Sequence, residues 1–163
     1  MEAQPILYWY VSHATKDPVE FTLMSDDQTR PLIETRLAES TQPGVHKVSL
    51  VDHGFKLGLY TTYRWYVAVV HDPARRSKDI IAGGVIERVD MPNGVSEQLA
   101  SAKAEDKPRI LAGAGIWYDS LAALSALIDA SPRDKALRAQ RAALLEQIGL
   151  PEVAAYDRKE NKP

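Results

Sequence analysis

Leu111-Ala112-Gly113-Ala114-Gly115-Ile116-Trp117-Tyr118-Asp119 and, 34 residues further on, Leu145-Glu146-Gln147-Ile148-Gly149-Leu150 decide how the second half of this chain folds. In both stretches a leucine stands four positions before a glycine and an aliphatic residue follows that glycine. Glycine ends helices because the left-handed backbone that leads the chain out of the last turn is strained for any residue with a Cβ. A recurrence of 34 residues is the period of a helix–turn–helix repeat, so the region around both glycines reads as helical hairpin.

Helical periodicity extends on either side. Leu121, Leu124, Leu127 and Ile128 share one face at i, i+3, i+4 spacing, which predicts a helix over 117–130 ending at Ser131-Pro132. Leu137, Leu144, Leu145 and Ile148 predict a further helix over 133–148 with Gly149 as its cap. Upstream, Lys107-Pro108 supplies a first-turn proline for a helix to about Ala114, preceded by a short polar segment over 96–104. Residues 157–163 are charged and apolar-free, and are expected to be a disordered tail.

Before Met91-Pro92-Asn93-Gly94 the pattern is different. Short β-rich runs over 6–12, 19–25, 32–38, 45–51, 63–71 and 80–89 are separated by turn formers such as Lys16-Asp17-Pro18, Gln42-Pro43-Gly44 and Asp72-Pro73. Six strands spaced by roughly ten residues predict an antiparallel sandwich. In Tyr63-Arg64-Trp65-Tyr66-Val67-Ala68-Val69 the odd positions point one way, making this a central strand with Trp65 in the core. The expected class is therefore α+β: a β-sandwich over 4–90 and a helical segment over 94–156 packed on it.

Composition excludes several functions. The chain has 163 residues, 45% hydrophobic and 26% charged, which suits a globular protein, and no run approaches the ~18 apolar residues of a membrane helix. Twenty basic against 22 acidic residues leave a net charge of −2, so no global field attracts nucleic acid. Absence of cysteine removes disulfides, thiolate metal sites and a thiol nucleophile. His13, His46, His53 and His71 lack the close pairing of a zinc site, and no cofactor motif is present.

Two sites draw attention. His71-Asp72-Pro73-Ala74-Arg75-Arg76-Ser77-Lys78-Asp79 is the densest polar cluster. It holds Ser, His and Asp, yet no nucleophile elbow or oxyanion glycine accompanies Ser77. The preferred reading is structural, with Asp72 and Ser77 bonding turn amides and Arg76 pairing with Asp72 or Asp79. A middle reading is oxyanion capture by Arg75, Arg76 and Lys78. The second site is Trp117-Tyr118-Asp119 at a helix start. Its aromatics are either a packing wedge or exposed anchors for a partner, the wedge preferred because large aromatics are usually mostly buried. Asp119 suits the positive end of the helix dipole.

Three resemblances follow. Leu57 with Tyr63 resembles the tyrosine corner of immunoglobulin-like and fibronectin type III sandwiches. Gly115, Trp117, Leu124 and Pro132 resemble a tetratricopeptide hairpin plus one following helix, with Ser120 at the usual small-alanine position. The whole chain resembles the bacterial family DUF928, found in cyanobacteria and some proteobacteria. The residues that carry this resemblance are Pro5 to Tyr10, Tyr63 to Tyr66, Asp72-Pro73, Arg76-Ser77-x-Asp79, Gly84-x-Ile86-x-Arg88-Val89, Gly115-Ile116-Trp117-Tyr118-Asp119-x-Leu121 and Leu144-Leu145 with Gly149-Leu150. His71 and Val85 depart from it, standing where the family often has Cys and Trp. The resemblance implies a periplasmic or extracellular protein whose leader would precede Met1.

The functional expectation is a non-enzymatic accessory protein without cofactor or metal, acting on a protein partner of the cell envelope. Its contact residues are drawn from Asp72, Arg75, Arg76, Ser77, Asp79, Arg88, Trp117, Tyr118 and Asp119, with exposed Arg138 and Arg141 on the last helices. The alternative is a small polar-ligand binder or hydrolase using the loop over 72–79.

Overall fold

The computed structural model describes residues 1–38 and 41–159. The protein is α+β, with six strands followed by five helices among the described residues. It divides into two compact units: Leu7–Val89, and Met1–Ile6 together with the chain from Asp90 on.

In the first unit, β1 (Ile6–Val11) pairs with β4 (Gly44–Ser49) in a two-stranded sheet, and an antiparallel bridge joins Thr15 to Thr41. A four-stranded antiparallel sheet has the order β3 (Ile33–Ala38), β2 (Val19–Ser25), β5 (Thr62–Val69), β6 (Ile80–Glu87). Alternation settles which face is hidden. Val19, Phe21 and Leu23 of β2 are fully buried, and register sets Phe21 opposite Val67 and Leu23 opposite Trp65. Trp65 is thus a core residue of a strand with neighbours on both sides, as the alternation predicted. The two-stranded sheet buries Leu7, Trp9 and Val48 in the same alternate manner.

Tyr63 ties the sheet to the loop before it. Its hydroxyl accepts a hydrogen bond from the Gly58 amide at 3.0 Å, its ring meets Phe55 edge-on at 5.9 Å, and Leu57 beside them is buried. At the sheet edge, Gly83 of β6 lies under the Tyr66 ring, so close that a Cβ there would sit 2.3 Å from the Trp65 carbonyl oxygen.

The helical unit contains α1 (Val95–Ser101), α2 (Lys107–Gly113), α3 (Trp117–Ala130), α4 (Lys135–Gln147) and α5 (Pro151–Lys159). Gly115 and Gly149 take φ of 76° and 77°, and the turns they make are the same turn twice. The Ile116 amide returns to the Leu111 carbonyl at 2.9 Å, and the Leu150 amide to that of Leu145 at 3.1 Å. This is the glycine-terminated helix end in which the amide beyond the glycine satisfies a carbonyl of the last turn. Four residues after each aliphatic stands a buried small residue, Ser120 or Ala154, which lets the two helices approach. Ser120 uses that closeness to donate from its hydroxyl to the Pro108 carbonyl at 2.7 Å.

Two hairpins result, α2 with α3 and α4 with α5, and α3 also packs on α4. The sequence pattern predicts one hairpin and a following helix; the second hairpin is complete. Residues 157–159, expected to begin a disordered tail, are instead the last residues of α5, and Asp157 is fully buried; positions 160–163 lie outside the described residues. Val95, Leu111 and Ile116 form one core cluster, with Met1 and Met91 packed against it. Leu124, Ile128 and Leu137 form another, between α3 and α4.

Candidate functional site

The polar loop spans the connection from β5 to β6 and contains one 3-10 turn, Arg76–Lys78. Asp72 organises its first half, accepting from the Ala74 amide at 3.0 Å and from Arg75 Nε at 2.6 Å. The Arg75 bond, then the Ala74 bond, hold the Asp72 carboxyl below the ordinary carboxylate range. Asp79 organises the second half. Its side chain is 2% exposed and takes Arg76 Nε on Oδ2 at 2.7 Å, while Oδ1 is buried with no hydrogen-bond partner among the described residues.

Arg76 reaches further, donating from Nη2 to Glu20 Oε2 of β2 at 2.9 Å. Asp79 and Glu20 together raise the guanidinium above its ordinary pKa. Glu20 in turn lies 3.8 Å from Arg36 of β3, its neighbour in the strand register. The chain Arg36–Glu20–Arg76–Asp79 alternates in sign and is neutral as a whole, as is Arg75–Asp72. Free oxyanion capture by Arg75 and Arg76 would require breaking these pairs, each of which is bound to a carboxylate in charge-assisted geometry.

The Ser, His and Asp of this loop do not converge. His71 Nδ1 meets Asp17 at 3.1 Å, the two aspartates hold arginines, and Ser77 is exposed on the 3-10 turn. Of the structural reading, the contacts include the Asp72 bond to a turn amide and an Arg76 pair, made with Asp79 rather than Asp72, while Ser77 bonds no turn amide among the described residues. Glu20 and Arg36 were missed in the sequence, since only strand register places them beside the loop. Arg88, just after β6, donates from Nη1 to the Leu57 carbonyl at 3.3 Å and accepts from the Tyr60 amide on its own carbonyl at 2.8 Å, fastening the segment that carries the Tyr63 contact.

In the helical unit, Trp117 and Tyr118 are half-buried and meet edge-to-face at 5.3 Å. Trp117 Nε1 is buried with no hydrogen-bond partner among the described residues. Asp119 accepts from the Glu2 amide at 3.0 Å, pinning the N-terminal segment to the start of α3. Burial raises the Asp119 pKa, an effect the Glu2 hydrogen bond opposes.

Arg141, expected to be exposed, is buried. Its guanidinium forks onto Asp157, Nε to Oδ2 at 2.7 Å and Nη2 to Oδ1 at 2.6 Å, and its third nitrogen donates to Ser125 Oγ at 3.2 Å. Arg138 is half-buried, with Nη1 3.7 Å from Asp157 and Nε donating to the Pro132 carbonyl at 3.0 Å. Neither residue offers the open cationic surface that the sequence suggested.

Open concave surface is found around α2. A groove of about 320 Å³ lies between α2, α3 and α4, with Pro108, Ala112 and Leu124 among its apolar lining and Arg109, Gln140 and Gln147 as polar heads. Those three polar side chains are exposed and have no intramolecular hydrogen-bond or ion-pair partner among the described residues. On the other side of α2 a groove of about 610 Å³ is shared with α1 and lined by Val95, Gln98 and Ile110. Asp106 and Arg109 belong to both. Among the described residues no helix is long and apolar enough to cross a membrane.

A search of curated proteins returned no significant match. A family model described as Domain of Unknown Function (DUF928) matches residues 1–157, nearly the full length on which the aromatic strand, the polar loop and both glycine turns lie, and the chain belongs to that family.

Proposed function

We propose that this protein is an exported, non-enzymatic accessory protein that works through protein contacts, built from an immunoglobulin-like sandwich and a pair of tetratricopeptide-like hairpins. The Tyr63 hydroxyl bonding back to the Gly58 amide supports the first likeness. The duplicated glycine turn 34 residues apart, each followed by a buried small residue, supports the second.

One observation carries the choice of contact surface. The arginines of the polar loop are neutralised within the chain, whereas Arg109, Gln140 and Gln147 stand unpartnered at the rim of an apolar-floored groove. Two glutamines at i and i+7 on α4 lie two turns apart on one face, about 10 Å along the axis. Primary amides both donate and accept, so this row suits the alternating amide and carbonyl groups of an extended polypeptide. The apolar floor would take a side chain of that segment.

The test is site-specific photocrosslinking in the native host, with the crosslinker at Gln140 or at Ser77. A discrete protein adduct at Gln140 that disappears with Arg109→Glu supports the groove. No adduct at Gln140, or one indifferent to Arg109→Glu, refutes it, and an adduct at Ser77 alone returns the contact to the loop. Fractionation of the same cells tests export, which a purely cytoplasmic signal would overturn.

A further inference from the structure

We infer that α5 is a latch: a helix that opens and closes as a unit on a folded α2–α4 body, closed by insertion of the Asp157 carboxylate into a socket made by Arg141, Ser125 and Arg138. The socket draws on two helices, Ser125 from α3 and both arginines from α4, and Asp157 arrives from the third. One guanidinium therefore fastens three helices at a single point, with Arg141 Nη1 on the Ser125 hydroxyl and its fork on Asp157.

Apart from that fork, α5 hides few side chains. Of its nine residues only Ala154 and Asp157 are buried, with Val153, Ala155 and Tyr156 half-buried. One exposed pair, Arg158 with Glu146 at 2.6 Å, adds little in water. A helix this short is unstable by itself, since isolated helices need about 12 to 15 residues even with favourable sequences. Alpha-helical order in 151–159 therefore exists only while docked, and release and unravelling are one event.

The chemistry of the closure makes that release inexpensive. Burying two charges strips both of water, and their mutual attraction returns roughly what that desolvation takes. When α5 leaves, Asp157 and Arg141 hydrate together, and Arg141 keeps its Ser125 bond to α3. An apolar interface of the same size has no such compensation. Removing only one charge has the opposite effect, because the other is left buried without its counter-ion. The turn at Ile148-Gly149-Leu150, with Gly149 in the left-handed region, is the pivot.

Native-state hydrogen exchange on the full chain, read by mass spectrometry on peptides from 151–159 and 117–130, tests this. In the wild-type protein the α5 amides are expected to exchange well ahead of the central amides of α3. Asp157→Asn is expected to speed exchange in 151–159 by roughly 100-fold or more, the ratio that corresponds to breaking one side of a buried pair, with α3 little changed. The paired replacement Arg141→Met with Asp157→Leu restores slow exchange in 151–159, since an apolar pair of similar volume closes the same contact. If α5 and α3 exchange in step in the wild-type protein, α5 opens only with the whole unit and the latch does not exist. The same conclusion follows if Asp157→Asn folds and leaves 151–159 as protected as before.

Discussion

Replacing Gly83 by alanine tests a tight backbone approach in the β unit. A Cβ at Gly83 would lie 2.3 Å from the Trp65 carbonyl oxygen and 2.9 Å from Tyr66 Cδ1, with the Tyr66 Cα a further 3.2 Å contact. A flexible ring can turn aside; a strand carbonyl in the ladder cannot. To restore an ordinary contact near 3.4 Å, β6 must withdraw from β5 by about 1 Å at its middle. A withdrawal of that size breaks one or two ladder hydrogen bonds, each worth about 1 kcal/mol net, on top of about 1–3 kcal/mol for overpacking. The gain from a stiffer unfolded chain is at most about 1 kcal/mol. The net expectation is a loss of about 2–3 kcal/mol. With a urea slope of about 1–3 kcal/mol per molar, the midpoint falls by about 1 M. Trp9 and Trp65 lie in this unit and Trp117 in the other, so fluorescence in a Trp117→Phe background follows the β unit, while ellipticity at 222 nm follows the helices. Gly113→Ala serves as control: open space surrounds that position at the end of α2, and the midpoint should hold or rise slightly. Tyr66→Ala added to Gly83→Ala should not rescue, because the carbonyl remains. A Gly83→Ala protein with an unchanged midpoint, or rescue by Tyr66→Ala, would refute the reasoning.

Tyr63→Phe removes the acceptor of the Gly58 amide and is expected to cost about 1 kcal/mol, measured by the same fluorescence-detected urea titration. Asp134→Ala removes a side chain that accepts from the Ala136 and Leu137 amides at the start of α4 and should cost about 1 kcal/mol in ellipticity-detected unfolding, with Asp134→Asn close to wild type. Asp119→Asn changes pH dependence. The folded Asp119 binds its proton more tightly than the unfolded one, so its contribution falls as pH rises from about 4 through the folded pKa and is level above it. Asparagine cannot titrate yet keeps an oxygen for the Glu2 amide, so wild-type stability measured against the variant should decline as pH rises above about 4; a difference that stays flat above that pH would remove burial as the cause.

The parts of this fold that show in the sequence are those governed by local rules. Alternation in Tyr63 to Val69 fixes which side chains are buried, and a glycine followed by an aliphatic residue fixes each helix end. What did not show depends on contacts between distant residues. Glu20 and Arg36 are ordinary charges on outward strand faces until β2–β3 register sets them side by side and the return of β6 brings Arg76 to them. Asp157 sits in a charged run that has the composition of a tail, and the Arg141 fork, with Arg138 beside it, offsets the loss of water on its burial. Hydrophobic periodicity cannot detect an interface closed by an ion pair, and for that reason α5 was missed.

The duplicated hairpin carries the same point further. Its backbone echo is close: Gly115 and Gly149, Ile116 and Leu150, Ser120 and Ala154 occupy equivalent places with matching hydrogen bonds. The side chains between them do not echo. Trp117, Tyr118 and Asp119 correspond to Pro151, Glu152 and Val153. A backbone turn needs only a left-handed glycine and room for two helices to close, so those positions are constrained alike in both copies. The remaining positions are free to serve separate ends. In the first hairpin they hold the N-terminal segment through Asp119 and open α2 on both sides to grooves; in the second they bring Asp157 to Arg141. Two hairpins of one backbone geometry thus differ in their side chains: the first holds the N-terminal segment and shares a groove with α4, and the second joins its own two helices through Arg141 and Asp157.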